Sequence, residues 1–396
     1  MKDILIVSDS LNMGGLEKCL INVCDNLDYD KYDVDLYLFN EGRTLIDKLN
    51  KNVNLLPDSP YYKDVYNTSV FKSIKTLLKK GKFTFALYRL ARFLRIRFKD
   101  NEYRKSDWKI MRKTMLSIDK KYDIAIGFAE GTAGYYVANC VQADVKVGWV
   151  HTDLKEVSHN RKLDQQTFEK LDRIATVSQN SLNSLIELHP NCKDKFVCIH
   201  LPILMDYDDM VARSVEPNCM DNDKDAVKIL SVGRLVELKG FHLCVEPCKR
   251  LIDEGFNVKW YIAGEGDYRS AIETLIKEHH MENYFILLGN CPNPYSYIRS
   301  ADICVQPSSY EGFSLSVIEG KFFKKPMVVT DIPSNMEMIK NEHNGLIVKR
   351  NSDEIYKAVR RLVSDEDLRK RLAQTPALVE ISNKKVMQEF ENLFLV

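Results

Sequence analysis

Two glutamates, Glu311 and Glu319, are carried by the stretch Tyr310-Glu311-Gly312-Phe313-Ser314-Leu315-Ser316-Val317-Ile318-Glu319, which follows an apolar run and opens a helical pattern. Carboxylates accept hydrogen bonds in pairs, which suits the neighbouring hydroxyls of a sugar or ribose ring. Glu311 falls in the turn and Glu319 about two helical turns further on. The amides of Gly312, Phe313, Ser314 and Leu315 fall at the helix start, where free N–H groups favour an anion. Upstream, Ser231-Val232-Gly233-Arg234-Leu235 ends another apolar run and Lys239-Gly240 opens the next helix, so two cations converge on a second set of free amides. Arginine offers a planar fork to phosphate oxygens and lysine a point charge, a complementary pair for a pyrophosphate. Singly these residues read as caps and surface charges. Together, each after a strand, they read as a diphosphate cradle beside a sugar-binding carboxylate pair.

His151, in Val150-His151-Thr152-Asp153, stands at the carboxyl end of a predicted strand, where a side chain can enter a cleft. A neutral imidazole there hydrogen-bonds a hydroxyl and an imidazolium assists a departing phosphate; the sequence leaves both open. Asp33-Val34-Asp35 and Asp206-Tyr207-Asp208 match the bare D-x-D of metal-using enzymes, but neither is tied to the phosphate residues. With Arg234 and Lys239 to neutralise a leaving group, no metal is expected, and no cofactor.

The stretch from Phe71 to Lys99 carries Lys72, Lys75, Lys79, Lys80, Lys82, Arg89, Arg92, Arg95, Arg97 and Lys99 without one acid. On a helical wheel Leu87, Leu90, Ala91, Leu94 and Phe98 share one face, and Arg89, Arg92, Arg95 and Lys99 the other, with Phe93 and Ile96 among them. Apolar groups within a cationic face suit a lipid headgroup layer. Lys79, Lys80, Arg89, Arg92, Phe93, Arg95 and Ile96 are therefore expected to dock on an anionic membrane, against the alternative of a solvated basic face. No nucleic-acid motif accompanies the patch.

These groups need a scaffold that brings distant strand ends together. Ile4 to Val7 reads as a buried strand, followed by a Gly14-Gly15 turn and a helical period from Leu16 to Leu27. Strands are expected at Val34–Phe39, Ile124–Phe128, Val145–Val150, Ile174–Val177 and Phe196–Ile199, separated by helices. After a polar, acidic segment at 206–226 the rhythm restarts at Val227–Val232, with strands at Val258–Ala263, Phe285–Leu288, Ile303–Val305, Met327–Val329 and Gly345–Val348. Strands alternating with helices imply parallel sheets covered on both faces. The fold class is α/β, two doubly wound Rossmann-like domains facing across a cleft, with ligands beyond the carboxyl ends of the strands. The divisions are 1–205, a linker at 206–226, 227–378, and a C-terminal helix at 379–396 packing back on the first domain.

The 396 residues make two to three domains at ~150 each. A net charge of +1, from 57 basic and 56 acidic residues, advertises no polyanionic partner, so any basic site is local. No run approaches the ~18–20 apolar residues of a membrane span. Ten cysteines without a C-x-x-C pair read as reduced thiols and a cytoplasmic location; Cys244 and Cys248 lack partners at zinc spacing and read as core.

The sequence resembles the retaining glycosyltransferases of family 4, of GT-B fold, over nearly its whole length and most strongly from Ile229 to Val348. The elements are GRLVELKG at 233–240, AGEGD at 263–267, EGFSLSVIE at 311–319, and Gly14, Gly15 and Glu17 of a GG-x-E motif. The resemblance implies that Arg234 and Lys239 bind the donor diphosphate, that Glu311 touches the transferred sugar, and that Glu319 holds the ribose. It also implies that Gly14, Gly15 and the amides from Gly312 to Leu315 meet the donor, that Asn290 and Cys291 lie near its base, and that His151 approaches its sugar. The partners are then a nucleotide-sugar, a UDP-sugar being favoured, and a glycan or lipid-linked acceptor, in cell-surface polysaccharide synthesis on the inner face of the membrane. A nicotinamide dehydrogenase fits poorly, because neither half carries G-x-G-x-x-G after its first strand. An epimerase of GT-B shape and a non-catalytic membrane-bound partner of another transferase are the remaining alternatives.

Overall fold

The computed structural model describes residues 1–12, 14–40, 42–98, 108–157, 159–200, 207–216, 218–223, 225–291, 293–378 and 383–395, without the side chains of 67, 95–98, 207–209 and 383. It divides into two units, 1–204 with 382–396, and 205–381.

In the first unit β1 (Lys2–Ser8), β2 (Tyr32–Leu38), β3 (Val53–Leu55), β4 (Lys121–Gly127), β5 (Gln142–Val150), β6 (Arg173–Thr176) and β7 (Phe196–Cys198) form a parallel sheet in the order β3-β2-β1-β4-β5-β6-β7. Ile4, Leu5, Ile6 and Val7 are fully buried, as continuous apolar runs are when helices cover both faces of a parallel sheet. Beside the sheet, α1 (Gly15–Asn26) buries Cys19, Leu20, Val23 and Cys24. The last helix of the chain, Asn383–Asn392, belongs to this unit. Phe390 stacks on Trp149 of β5 at 5.6 Å, and Phe394 meets Tyr32 edge-on at 6.1 Å.

The second unit holds β8 (Val227–Val232), β9 (Val258–Ala263), β10 (Phe285–Gly289), β11 (Ile303–Gln306), β12 (Met327–Thr330) and β13 (Leu346–Val348), parallel in the order β10-β9-β8-β11-β12-β13. Its core is built on Ile229, Trp260, Ile262, Ile303 and Val328, with Cys244 and Cys248 buried among them. In both sheets the winding reverses beside the first strand, between β1 and β4 and between β8 and β11. From the two strands on either side of such a reversal the chain goes on to opposite faces of the sheet, and ligands bind at that switch point, outside the carboxyl ends of the strands.

Two expectations are corrected. In the stretch expected as a linker the described residues are ordered into elements: Tyr207–Ser214 is a helix, Cys219–Asn222 a 3₁₀ turn, and Met210 and Met220 are buried. Two of its acids are spent on structure. Asp221 closes a capping box with Asn218, and Asp223 takes Lys259 and the Tyr261 hydroxyl.

The basic helices α2 (Val70–Lys79) and α3 (Phe83–Phe98) present the other face. Arg89 is buried and donates to Thr68 O at 2.9 Å, Arg92 lies 5.0 Å over the Tyr66 ring, and Phe93 is half-buried. Lys80 is paired with Asp64, while Lys79 is exposed. Leu87, Leu90 and Leu94, expected inside, are 69%, 42% and 46% exposed. The inner contact is a small cluster around Val65, Leu77 and Ala86, edged by Tyr66 and Tyr88. A guanidinium over an aromatic ring, as at Arg92, and one bonded to a backbone carbonyl, as at Arg89, fit that polar-edged seam better than leucines. The side chains of Arg95 and Ile96 lie outside the described residues, as do Asp206 and Lys99.

Candidate functional site

At the reversal in the second sheet the loop after β8 lies against the loop after β11. Gly240 has φ 72°, and a Cβ there would stand 2.2 Å from Pro307 O; only glycine permits that approach. Gly264, after β9, is as crowded, its would-be Cβ 1.8 Å from Gly233 O. Hydrogen bonds hold the loops in place: Gln306 Nε2 to Val232 O at 3.3 Å, Ser309 N to Leu238 O at 2.8 Å, and Thr330 Oγ1 to Ser308 O at 2.5 Å.

This packing joins two of the expected residues. Lys239 Nζ is ion-paired with Glu311 Oε1, which also accepts from Ser308 Oγ at 2.7 Å. Arg234 is exposed on the same loop as Lys239. Glu319 is buried on the helix Leu315–Phe322, at its fifth residue and therefore nearer the helix start than the sequence suggested. That helix is anchored by Lys321, whose buried ammonium donates to Asn344 O at 2.8 Å and Leu372 O at 2.7 Å and is pushed down to about 8 by burial. Ser314 stands at the N-cap position without a side-chain cap bond, and Phe313 before it is buried. Helix geometry leaves the amides of the first turn, from Leu315 on, without intrahelical acceptors. Asn290 and Cys291 follow β10, two strands from β8; Asn290 is exposed, and burial raises the Cys291 thiol.

At the reversal in the first sheet, Gly15 begins α1 and Gly14 caps it. A Cβ on Gly14 would lie 2.3 Å from Glu17 Oε2, so a carboxylate already folds over the helix start. An anion approaching Gly14 and Gly15 has that carboxylate to displace.

His151, just beyond β5, is buried. Its ring nitrogen Nε2 lies 3.1 Å from Phe128 O, and Glu130 accepts from the His151 amide at 2.9 Å. Burial pushes the imidazole down to about 4, against the opposing pull of Glu130 and the Phe128 carbonyl, so the ring is neutral near pH 7. A carbonyl can only accept; Nε2 therefore carries the proton and Nδ1 is left as an acceptor, buried and unpartnered among the described residues. The ring stacks on Trp149 at 5.8 Å and 16°, and Trp149 in turn on Phe390.

Of the D-x-D aspartates, Asp35 is occupied by Tyr122, Asn54 and Lys120. Among the described residues no group of three or more His, Cys, Asp or Glu is placed to hold a metal ion. Sequence reasoning missed Ser308 and Glu130. Each follows a strand end within four residues of a candidate or its carbonyl partner, and that position was the available signal.

Residues 217–376 match the family model described as Glycosyl transferases group 1. The chain is 35% identical over 144 residues to an uncharacterized glycosyltransferase of Methanocaldococcus jannaschii, covering 36% of this chain and 37% of that one. It is 30% identical over 213 residues to the N-acetylgalactosamine-N,N'-diacetylbacillosaminyl-diphospho-undecaprenol 4-alpha-N-acetylgalactosaminyltransferase of Campylobacter jejuni, covering 53% and 56%. The matches thus span from about a third to just over half the length of these relatives. Among solved structures, Anabaena HepE in complex with UDP-glucose aligns over 100% of both chains at TM-score 0.72 and 15% identity. Staphylococcus aureus TarM aligns over 100% of this chain and 99% of its own at 0.68 and 15%. That likeness shows the fold, the two-sheet GT-B type.

Proposed function

We propose, from the match of residues 217–376 to the glycosyl transferases group 1 family, that the chain moves a sugar from a nucleotide-diphosphate donor to a glycan or lipid-linked acceptor. The donor is a UDP-sugar, the anomeric configuration is retained, no metal takes part, and the product enters a cell-surface polysaccharide. The observation that carries this reading is the Lys239–Glu311 pair, held at the sheet reversal with Arg234 exposed beside it. Lys239 and Arg234 neutralise the departing diphosphate, which replaces metal-ion stabilisation of the same charge. Glu311, freed from Lys239 as the diphosphate arrives, accepts from a sugar hydroxyl; Glu319 holds the ribose; the amides from Gly312 to Leu315 meet the sugar or phosphate. His151 serves as a neutral acceptor through Nδ1. The Campylobacter relative is named for an undecaprenol-linked acceptor and the Anabaena neighbour was solved with UDP-glucose, both of which support the substrate classes.

The same reading places the enzyme in the cytoplasm, on the inner face of an anionic membrane. No helix among the described residues is long and apolar enough to cross one. The docking face is Leu87, Leu90 and Leu94 with the exposed Phe71 and Phe83, edged by exposed Lys72, Lys75 and Lys79, in place of the arginine face expected from the wheel.

The test is a panel of UDP-, GDP- and ADP-sugars scored by thermal stabilisation, followed by proton NMR of the product formed in chelator. A UDP-sugar is expected to raise Tm by mass action and to yield a product of unchanged anomeric configuration. No stabilisation by any donor, inversion at the anomeric carbon, or loss of turnover in chelator removes the corresponding part of the proposal.

A further inference from the structure

The side chain of Glu311 takes two donors, and both fall on one oxygen. Lys239 Nζ is ion-paired with Oε1, and Ser308 Oγ donates to the same Oε1 at 2.7 Å. A carboxylate can only accept, so the serine proton lies toward Glu311, and Oε2 is left to receive a ligand hydroxyl. The donors differ in kind. The lysine is a point charge on a flexible stem that a diphosphate can draw away, whereas Ser308 is neutral, fully buried and three residues from Glu311 on the same loop. From this asymmetry we propose that Ser308 is a positioning residue, which keeps Glu311 in one orientation after Lys239 has turned to the diphosphate, and that Thr330 and Asn335 hold Ser308 in turn. The part played in transfer rests on the transferase reading above; the hold on Glu311 does not.

The sheet builds this support. β11 and β12 pair in register as far as Gln306 beside Val329, which brings Thr330, the last residue of β12, alongside the loop that carries Ser308. Thr330 Oγ1 donates to Ser308 O at 2.5 Å. A β-branched side chain has few χ1 choices, so the strand backbone itself aims that hydroxyl. Asn335, the third residue of the helix Pro333–Met338, returns Nδ2 to Thr330 O at 3.0 Å. That carbonyl only accepts, so the amide nitrogen faces it and Oδ1 is the other end, buried and without a hydrogen-bond partner among the described residues. An unmet buried acceptor costs stability. A small apolar side chain would avoid that cost and give up the bond that fixes Thr330.

Ser308, Thr330 and Asn335 are all buried and none is charged. The series Asn335–Thr330–Ser308–Glu311 therefore stays made when an anion changes the field around Lys239. Lys239 supplies charge, and Ser308 supplies direction. A carboxylate released from its ion pair with no second donor would swing, and a misplacement of ~1 Å at a reacting group can cost on the order of 10²-fold in rate.

The test uses the full chain, with UDP as the binding probe and UDP-glucose and UDP-N-acetylglucosamine as the probes of hydrolysis. Ser308→Ala is expected to lower kcat tenfold or more and to leave the Kd of UDP within twofold, a split that general loosening of the loop would not give. Thr330→Val, which keeps the shape and removes the hydroxyl, is expected to lower kcat in the same direction, and by less than a further twofold once Ser308→Ala is present. It carries the kinetic arm if Ser308→Ala does not fold. A thermal-melt cycle reads the hold on Glu311 without turnover. Ser308→Ala is expected to lower Tm by about 2 °C or more beyond its effect in the wild-type chain when Lys239→Ala is present, and to leave Tm unchanged when Glu311→Ala is present. Unchanged kcat in Ser308→Ala overturns the proposal, as do equal losses of kcat and UDP affinity or an additive melt cycle. If the wild-type chain hydrolyses neither donor and the melt cycle is coupled, the part in transfer falls and the hold on Glu311 stands.

Discussion

Lys239 and Glu311, 72 residues apart in sequence, are ion-paired through the Glu311 oxygen that Ser308 also serves. In the absence of substrate each neutralises the other, so a diphosphate competes with Glu311 for the lysine. Arg234→Ala and Lys239→Ala are each expected to lower kcat by ~10²-fold or more, the loss typical of removing one electrostatic stabiliser. The two differ in stability. Arg234 is exposed, and its removal should leave Tm unchanged, whereas Lys239→Ala leaves a largely buried Glu311 unpaired and should lower Tm by several degrees. Steady-state kinetics beside thermal melts checks both, and near-normal turnover in both variants removes the phosphate assignment.

The carboxylates should separate by what they bind. Glu311→Gln keeps a group that accepts from Ser308 but loses the charge facing Lys239, and should impair transfer more than nucleotide binding. Glu319→Gln lies on the helix fixed by Lys321 and should weaken free UDP itself. Calorimetry with UDP on both variants decides; equal losses would show that the division between sugar and ribose is wrong.

His151 makes acid stability a readout of its surroundings. Its folded value of about 4 lies below the ordinary 6.5, so the unfolded chain takes up the proton first as pH falls. Its contribution to stability is full above about pH 6.5 and is lost progressively toward pH 4, by at most about 3 kcal/mol. His151→Gln should flatten that part of the Tm-against-pH curve. Phe390→Ala loosens the stack behind Trp149, and should raise the imidazole value toward 6.5 in an NMR titration; an unchanged titration would mean that burial is set elsewhere.

The strands of the second unit were legible, Val227–Val232 and Val258–Ala263 to the residue, because a parallel sheet covered on both faces demands unbroken apolar runs. The pairing of Lys239 with Glu311 was legible only as convergence, since the strand order that joins their loops is a property of the whole sheet. Residues 206–226 misled because acids read as solvated, while Asp221 and Asp223 are in fact spent on a cap, a lysine and a tyrosine. Glu130 gave no signal that separates it from any acid after a strand. A helical wheel, finally, divides a helix into faces without saying which one turns inward. For α3 the choice depended on Tyr66, Tyr88 and the Thr68 carbonyl, contacts from outside the helix.

That inversion gives the last prediction. Leu87 is 69% exposed and Leu90 42%, so Leu87→Ser with Leu90→Ser should leave Tm nearly unchanged in solution. Arg89 is buried with its guanidinium on Thr68 O, so Arg89→Ala should lower Tm although it removes only a charge from a basic segment. On vesicles the order reverses. Each fully buried leucine contributes roughly 1.5–3 kcal/mol to partitioning, and each lysine near an anionic surface about 1 kcal/mol. The double serine variant should therefore lose sedimentation with phosphatidylserine vesicles even at low salt, while Lys72→Ala with Lys75→Ala should lose it chiefly as salt is raised. If the leucine variant melts early, or sediments as the wild type does, these leucines are covered within the protein and the membrane is not their partner.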